Sequence, residues 1–144
     1  MEVNQTNYIY IVSRIRERLI ALLEGGLAEK HITDFFTSDG YVLFILDRHG
    51  PLSLKELALH AVKDKSTVSS VVKRLEKNGY VVKERAGDDA RTVTIRLTAK
   101  AKKIKPLIWE ISSEVNSKMF RGLGEDDRKK LFQLTGKVFG NIHE

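Results

Sequence analysis

The stretch that decides the fold is DKSTVSSVVKRLEKNGYVVKER, residues 64–85. It carries four apolar residues at helical spacing, Val68, Val71, Val72 and Leu75. Asp64 stands where a helix N-cap is expected, and Asn78-Gly79 tolerates the left-handed backbone that closes a helix. A β-branched run follows at once. The stretch therefore predicts an amphipathic helix that ends in a tight turn and leads directly into a strand.

Residues on both sides of this stretch complete a supersecondary unit. Upstream, Ser53-Leu54-Lys55-Glu56 fits the capping-box pattern and predicts a short helix over about residues 54–61. Downstream, Tyr80–Arg85 and Arg91–Leu97 are both β-prone, and turn-forming residues 86–90 separate them. Two short helices joined by a tight turn and followed by a β-hairpin make a winged helix-turn-helix.

Helical periodicity also precedes this unit. A first helix is expected over residues 8–24, and Gly25-Gly26 is expected to end it. A second helix is expected to begin with a cap at Thr37 or Ser38 and to stop at Gly50-Pro51.

Two further helices are expected after the hairpin. The first follows Thr98, and Pro106 inside it should kink or restart it. The second places Glu125–Asp127 near its N-terminus, where the helix dipole favours negative charge. The chain is thus predicted to be mainly α with a small β-wing (α+β). A winged helix-turn-helix at residues 36–98 lies within a single domain that spans residues 1–144.

The positive charge of the chain is local. The net charge is +6, yet residues 63–105 hold thirteen Lys and Arg against five Asp and Glu, a net +8. The remainder of the chain therefore carries −2. Such a block indicates a polyanionic partner, because Lys and Arg contacts to phosphates release counterions. A solvated surface accounts for the same charge, so charge alone leaves both interpretations open.

Several functional classes lack support. The chain has no cysteine, which excludes a disulfide framework, a thiolate zinc site and a switch that oxidises its own thiol. The four histidines, His31, His49, His60 and His143, show no metal-ligand spacing, and neither a metal nor a cofactor is expected. No nucleophile-base pairing or phosphate-binding glycine loop is present, so an enzyme is not expected.

No membrane partner is expected either. No apolar run approaches the roughly 18 to 20 residues that a membrane span needs. The N-terminal residues MEVNQTNYIY do not have the pattern of a signal peptide, so we expect a soluble cytoplasmic protein.

The helix over residues 64–77 has the composition of a DNA-reading helix. Its first two turns hold five short polar or basic residues, Lys65, Ser66, Thr67, Ser69 and Ser70. In a major groove these positions reach base edges. Lys73 and Arg74 lie farther along and are expected to contact phosphates. Arg85 and Arg91 on the hairpin are expected to reach a minor groove.

Each of these assignments has a structural alternative. Ser66 can serve as a helix cap, and Lys73 and Arg74 can be ordinary solvated surface. Asp88 and Asp89 fit the chemistry of a turn. At the level of the whole protein, the alternative is a protein-interaction or architectural winged-helix module without sequence-specific DNA binding.

Three stretches carry a resemblance to a known family: VLFILDRHGPLSLKELA, DKSTVSSVVKRLEKNGYV and DDARTVTIRLT. In the last, Asp89-x-Arg91 followed by Leu97-Thr98 has the form D-x-R-x5-L-T. On these motifs the segment from Phe35 to Thr98 resembles the MarR family of winged-helix transcriptional regulators. The flanking helices fit the architecture of that family over nearly the whole chain.

The resemblance implies a homodimer in which the helices of residues 1–35 and 99–144 interlock. It implies binding to double-stranded DNA at a pseudo-palindromic operator, usually as a repressor relieved by a small-molecule effector. Asp89 would pair with Arg91 to stabilise the wing, and Arg91 would approach the minor groove. An effector pocket would be lined by the first two helices and the region around Trp109, although apolar residues there also suit a simple core.

The apolar residues of the terminal helices indicate a dimer independently of the family, because a monomer of this size does not easily cover them. The alternative is a monomer in which these helices pack on the winged-helix body.

Four positions depart from the pattern of the family. Val62 stands where the turn commonly has Gly, so we expect the turn to be less tight or to need strain relief elsewhere. Ser70 occupies a position often filled by Arg, so the operator is expected to depend less on a guanine contact. Ala101 replaces a frequent Gly, and together with Pro106 it bears on the hinge between the DNA-binding and dimer regions.

Overall fold

The computed structural model describes residues 2–85 and 93–143 of the chain. The helices in these parts are α1 (Tyr8–Glu29), α2 (Gly40–His49), α3 (Leu54–Ala61), α4 (Lys65–Lys77), α5 (Ala99–Met119) and α6 (Glu125–Asn141). The strands are β1 (Leu52–Ser53), β2 (Val81–Arg85) and β3 (Val93–Leu97), and a 3₁₀ turn at Thr37–Asp39 precedes α2. The predicted mainly α class with a winged helix-turn-helix is confirmed.

The wing is part of a three-stranded antiparallel sheet with the strand order β1-β3-β2. Val81 lies opposite Leu97 and Arg85 opposite Val93, so β2 and β3 form the expected hairpin. The sequence did not predict β1, because a strand of two residues has no periodicity to detect. The predicted turn with Asp89 and Arg91 lies in residues 86–92, outside the described residues.

Local capping chemistry sets the ends of α3 and α4. Ser53 Oγ accepts from the Glu56 backbone N–H at 3.3 Å, and Glu56 Oε2 accepts from the Ser53 N–H at 2.8 Å. Asp64 caps α4 by accepting from the Thr67 N–H at 2.7 Å. Gly79 has a φ of +78° directly after α4. The predicted capping box, N-cap and glycine stop are confirmed.

The apolar face of α4 is the centre of the core. Val68, Val71, Val72 and Leu75 are all buried. They belong to the same hydrophobic cluster as buried residues of α2, α3 and the sheet, which include Leu43, Leu57 and Ile95. One side of α4 is therefore packed against the body of the protein, and the opposite side faces solvent.

Gly25-Gly26 does not end the first helix, so that prediction is wrong. The helix α1 continues to Glu29, and a Cβ atom at Gly26 would lie only 2.5 Å from Ile111 Cγ2 on α5. Glycine is needed here because the two helices approach closely. The pair serves tertiary packing, which a local helix-stop rule cannot recognise.

The predicted cap of α2 is also wrong, and at Pro106 one of the two predicted alternatives is excluded. Neither Thr37 nor Ser38 caps α2; Ser38 Oγ instead donates to Asp39 Oδ1 at 3.0 Å. The helix α5 does not restart at Pro106 but runs through it from Ala99 to Met119. Pro106 is exposed, so water can satisfy the carbonyl group that loses its helical partner.

The turn between α3 and α4 contains a residue in a strained backbone conformation. Val62 has φ +51° and ψ +47°, which is the left-handed region. A β-branched residue is disfavoured there because its Cβ crowds the backbone. The helix-turn-helix therefore forms at a local conformational cost in this chain.

The terminal helix α6 differs from the rest, because none of its residues is buried. Ile142 directly after the helix is 73% exposed, and the large apolar side chains of the helix are between 42% and 56% exposed: Leu131, Phe132, Leu134, Val138 and Phe139. Within residues 2–85 and 93–143, no helix combines the length and apolar character that crossing a bilayer requires.

Candidate nucleic-acid interface

The outer face of α4 opposes its buried face. Ser66, Ser70, Lys73 and Lys77 follow one another at helical spacing and are all exposed. This helix is therefore packed on one side and presents hydroxyl and ammonium groups on the other. Ser69, at the edge of this surface, is half-buried, whereas Lys65 is exposed.

Asp64 organises the N-terminal end of this face. Ser66 Oγ donates to Asp64 Oδ1 at 2.7 Å, and Thr67 Oγ1 donates to Asp64 Oδ2 at 2.6 Å. These hydrogen bonds hold the pKa of Asp64 well below its ordinary value of 3.8, so the carboxyl is ionised at neutral pH. Ser70 Oγ similarly donates to the Ser66 carbonyl at 3.1 Å.

The hydroxyl groups at the N-terminal end of α4 therefore act as hydrogen-bond donors within the protein. The protons of Ser66, Thr67 and Ser70 are directed at acceptors of the protein itself, which leaves oxygen lone pairs toward solvent. In a major groove, such oxygens suit the amino groups of adenine and cytosine. Capping and base contact are therefore compatible at these three residues.

Lys73 and Arg74 occupy different surfaces although they are adjacent. Lys73 is exposed on the outer face. Arg74 turns to the flank of α4, where its Nε donates to Asp39 Oδ2 at 2.8 Å and its Nη2 pairs with Asp39 Oδ1. Sequence reasoning treated both residues alike and missed Asp39, because a partner 35 positions away leaves no local signal.

The wing extends the basic surface beyond α4. Arg85 is the last residue of β2, and it is exposed. Lys83 joins Glu76 of α4 at 3.0 Å, and Arg96 pairs with Glu84 and lowers the pKa of that carboxyl. The described part of the wing is thus attached to the helix beside it.

Asp34 connects the end of α4 to the helices outside the winged unit. Its carboxylate accepts from Lys100 Nζ at the start of α5 and from the Tyr80 hydroxyl. Asn78 Nδ2 donates to the Asp34 carbonyl at 2.7 Å. Lys100 and Tyr80 keep the pKa of Asp34 below its ordinary value. The loop after α1, the C-terminus of α4 and the start of α5 therefore meet at one polar cluster.

Comparison with known proteins assigns this geometry to a family. A model of the MarR family matches residues 39–93. The HTH-type transcriptional regulator MgrA of Staphylococcus aureus is 36% identical over 103 residues, which cover 72% of this chain and 69% of MgrA. The chain belongs to the MarR family. The resemblance inferred from its motifs is confirmed, and the regulators of this family are not enzymes.

A further relative and two solved structures are also similar to this chain. The HTH-type transcriptional repressor IacR of Pseudomonas putida is 29% identical over 101 residues; the match covers 70% of this chain but only 60% of IacR. A MarR protein from Peptoclostridium difficile superposes with a TM-score of 0.82 at 19% identity over 99% of this chain and 92% of that protein. The PcaV transcriptional regulator from Streptomyces coelicolor, solved with its natural ligand, gives a TM-score of 0.82 at 20% identity, with 97% of each chain covered. DNA-binding transcription regulation is the role common to the family.

Within the described ranges, no cluster of three or more His, Asp or Glu side chains is placed to hold a metal ion.

Proposed function

We propose that this protein is a homodimeric, sequence-specific DNA-binding regulator that represses transcription from a pseudo-palindromic operator and is relieved by a small-molecule effector. The observation that carries the proposal is the outer face of α4, which exposes hydroxyl and ammonium groups directly opposite a fully buried apolar face. A helix held in this way can enter a major groove without rearrangement of the core.

Each candidate residue has a proposed role at the DNA. Base edges are contacted by residues of the first two turns of α4: Lys65, Ser66, Thr67, Ser69 and Ser70. Lys73 contacts a phosphate, and Arg74 belongs to the flank of the same interface. Arg85 and Arg91 approach the minor groove, where Asp89 stabilises the wing.

The proposed dimer rests on the terminal helices. The apolar side chains of α6 are exposed in the single chain, and so are Val12 and Ile15 on α1, at 45% and 50%. Exposed apolar surface of this extent is typical of an interface between subunits. Two-fold symmetry would then present two copies of α4 to major grooves about one helical turn apart on one side of a duplex.

Selection of duplexes from a randomised library by the wild-type protein, followed by footprinting, tests this function. We expect protection of two half-sites centred roughly 10 base pairs apart. A chain that gives only weak, fully salt-labile binding with no protected site would instead be a protein-interaction or architectural module. Transcription from a promoter that contains the selected site should rise when the protein is removed; a fall would identify an activator.

The role of Lys73 is tested by the dependence of affinity on salt. Lys73→Ala should weaken binding to selected and scrambled duplexes alike and lower the slope of log K against log salt by about one, because one phosphate contact is lost. Lys118→Ala, a matched change in the last turn of α5, should leave both quantities unchanged. An unaltered slope for Lys73→Ala would remove this residue from the interface.

A cavity of about 700 Å³ between α1, α2 and α5 supports the effector part of the proposal. Its walls include Leu23, Phe44, Trp109 and Ile111. Tyr41 also lines it, and the phenolic oxygen of Tyr41 is buried without a hydrogen-bond partner among the described residues. A mostly apolar small molecule with one polar group fits these walls, and the volume is in the usual range for ligand sites.

The single tryptophan of the chain gives a direct assay for this cavity. A compound that binds there should change the fluorescence of Trp109 and release the selected duplex over the same concentration range. Gly40→Leu is the control, since Gly40 lines the cavity and has open space where a side chain would begin. That variant should lose the response to the compound while it still binds DNA. Release of DNA that persists in Gly40→Leu would place the effector elsewhere.

A further inference from the structure

Asp39 is exceptional among the described residues. It is 1% exposed, and it is the one charged or polar residue in those parts of the chain that is classed with the buried core. A buried carboxylate is costly unless it is paired and hydrogen-bonded. Arg74 supplies that pairing from α4, so a single side chain of the DNA-facing helix compensates the single buried charge of the turn before α2.

The contact between Asp39 and Arg74 has a defined geometry. The guanidinium engages both carboxylate oxygens, through Nε at 2.8 Å and through Nη2. Ser38 Oγ donates to the same carboxylate at 3.0 Å, and the guanidinium carbon lies 5.3 Å from the centre of the Phe36 ring. A planar guanidinium that makes two hydrogen bonds to one carboxylate restricts the relative rotation of the two groups as well as the distance between them.

The geometry of the Arg74–Asp39 pair indicates that the pair orients α4, rather than stabilising the fold or contacting a phosphate. Buried ion pairs contribute little net stability, because desolvation offsets most of the attraction. Arg74 lies one turn after Ser70, at the edge of the outer face, and two of its three guanidinium nitrogens are occupied by Asp39. The pair joins α4 to the turn at Thr37–Asp39, so it restrains rotation of α4 about its own axis.

We propose that Asp39 is a positioning residue that acts through Arg74 to fix which face of α4 meets the bases. This inference rests on the proposed function, because it concerns how the same interface achieves specificity. Rotation of α4 by a fraction of a turn would move the hydroxyl groups of its first turns away from base edges, while phosphates would still attract its lysines. Loss of the pair should therefore reduce discrimination between sequences and leave nonspecific attraction intact.

The test compares Asp39→Asn, Arg74→Met and the double variant in the full-length protein. Binding is measured by fluorescence anisotropy to a duplex selected by the wild-type protein and to a scrambled duplex of equal length, over a range of salt. Glu110→Gln is the control, since it removes a partly exposed ion pair of α5 with Lys30, away from α4 and the wing. Circular dichroism melting establishes that each variant is folded at the assay temperature. Asp39→Asn is the primary variant because it leaves no buried charge behind.

We expect each single variant to lower the ratio of selected to scrambled affinity about tenfold, and the double variant to lower it no further, since coupled residues are non-additive. The salt slope should equal that of the wild type, and Glu110→Gln should behave as the wild type. An unchanged affinity ratio in Asp39→Asn overturns the proposal. A uniform loss for both duplexes in Arg74→Met, with a slope lower by about one, also overturns it and makes Arg74 a phosphate contact.

The same experiment separates this inference from the proposed function. If the wild-type protein selects no duplex, sequence-specific binding itself fails and the positioning role fails with it. If the wild type discriminates and Asp39→Asn discriminates equally well, only the positioning role is wrong.

Discussion

The helices α4 and α6 are both amphipathic, yet they use their apolar faces in opposite ways. In α4 the four apolar positions, Val68, Val71, Val72 and Leu75, are between 0% and 7% exposed. In α6 every apolar position remains at least 42% exposed. An apolar stripe therefore shows that a helix will pack, but not against what. The apolar face of α4 is covered within the winged-helix body, whereas the apolar face of α6 stays uncovered in the single chain.

The largest effect on this contrast is expected from an acidic residue placed in the apolar face of α6. Phe132, which is 56% exposed, should be replaced by Asp. We expect the dimer to dissociate and operator affinity to fall by about a hundredfold, because the second half-site contact is no longer linked to the first. Light scattering coupled to size exclusion gives the mass, and anisotropy gives the affinity.

The matched control for this change is Gln133→Asp, which adds the same charge at the next position of α6. It should leave both mass and affinity near those of the wild type. A Phe132→Asp protein that remains dimeric would show that α6 is not the interface.

Replacement of one leucine by alanine in each helix compares how much the two apolar faces contribute to the free energy of unfolding. Leu75→Ala in α4 should lower the free energy of unfolding by about 2–5 kcal/mol, because Leu75 is fully buried and its removal leaves a cavity. Leu134→Ala in α6 should have an effect that depends on protein concentration, since dimerisation is linked to folding. Urea unfolding at two protein concentrations measures both; a concentration-independent loss for Leu134→Ala would contradict the contrast.

The winged-helix body contains strain at Val62, and relief of that strain should stabilise the protein. Val62→Gly removes the Cβ from a left-handed residue, so the free energy of unfolding should rise by about 1 kcal/mol. Ala61→Gly, one position earlier in helical conformation, should instead lower it by about 0.5–1 kcal/mol. Thermal melting distinguishes the two signs. Destabilisation by both changes would mean that the turn is not strained.

The stability that the Asp34 cluster contributes to the folded protein should depend on pH. The pKa of Asp34 is lowered below 3.8 in the folded chain, so its contribution is present above 3.8 and is lost as the pH falls below that value. The stability difference between the wild type and Asp34→Asn should therefore shrink between pH 6 and pH 3. Urea midpoints measure this difference, in which the carboxylates common to both proteins cancel. A difference that stays constant or grows toward acid would contradict the assignment.

Capping and turn chemistry were predictable because each depends on residues within a few positions. The Ser53 and Glu56 box, the Asp64 cap and the stop at Gly79 are examples in which side chain and backbone partner are close in sequence. The same rules failed at Gly26, where a helix-stop signal is overridden by close contact with α5. They failed at Ser38 because its hydroxyl is directed to Asp39.

The candidate interface also has a part that the sequence predicted and a part that it did not. The polar outer face of α4 was predicted from spacing, since a buried apolar face dictates what lies opposite. The separate environment of Arg74 was not predicted, because Asp39 comes from another element. The assignments at Asp89 and Arg91 lie outside the described residues and stay predictions.

By itself, the sequence determined the order of the helices and the hairpin, the caps of α3 and α4, the two faces of α4 and the family, because periodicity, short-range hydrogen bonds and motifs depend on residues close together along the chain. Only the tertiary structure decided that α1 continues through its glycines, that Arg74 turns to a buried carboxylate, and that the apolar face of α6 stays uncovered in the single chain. The physical reason is that these outcomes depend on packing and charge pairing between segments far apart in sequence. Such contacts become defined only when the chain has folded.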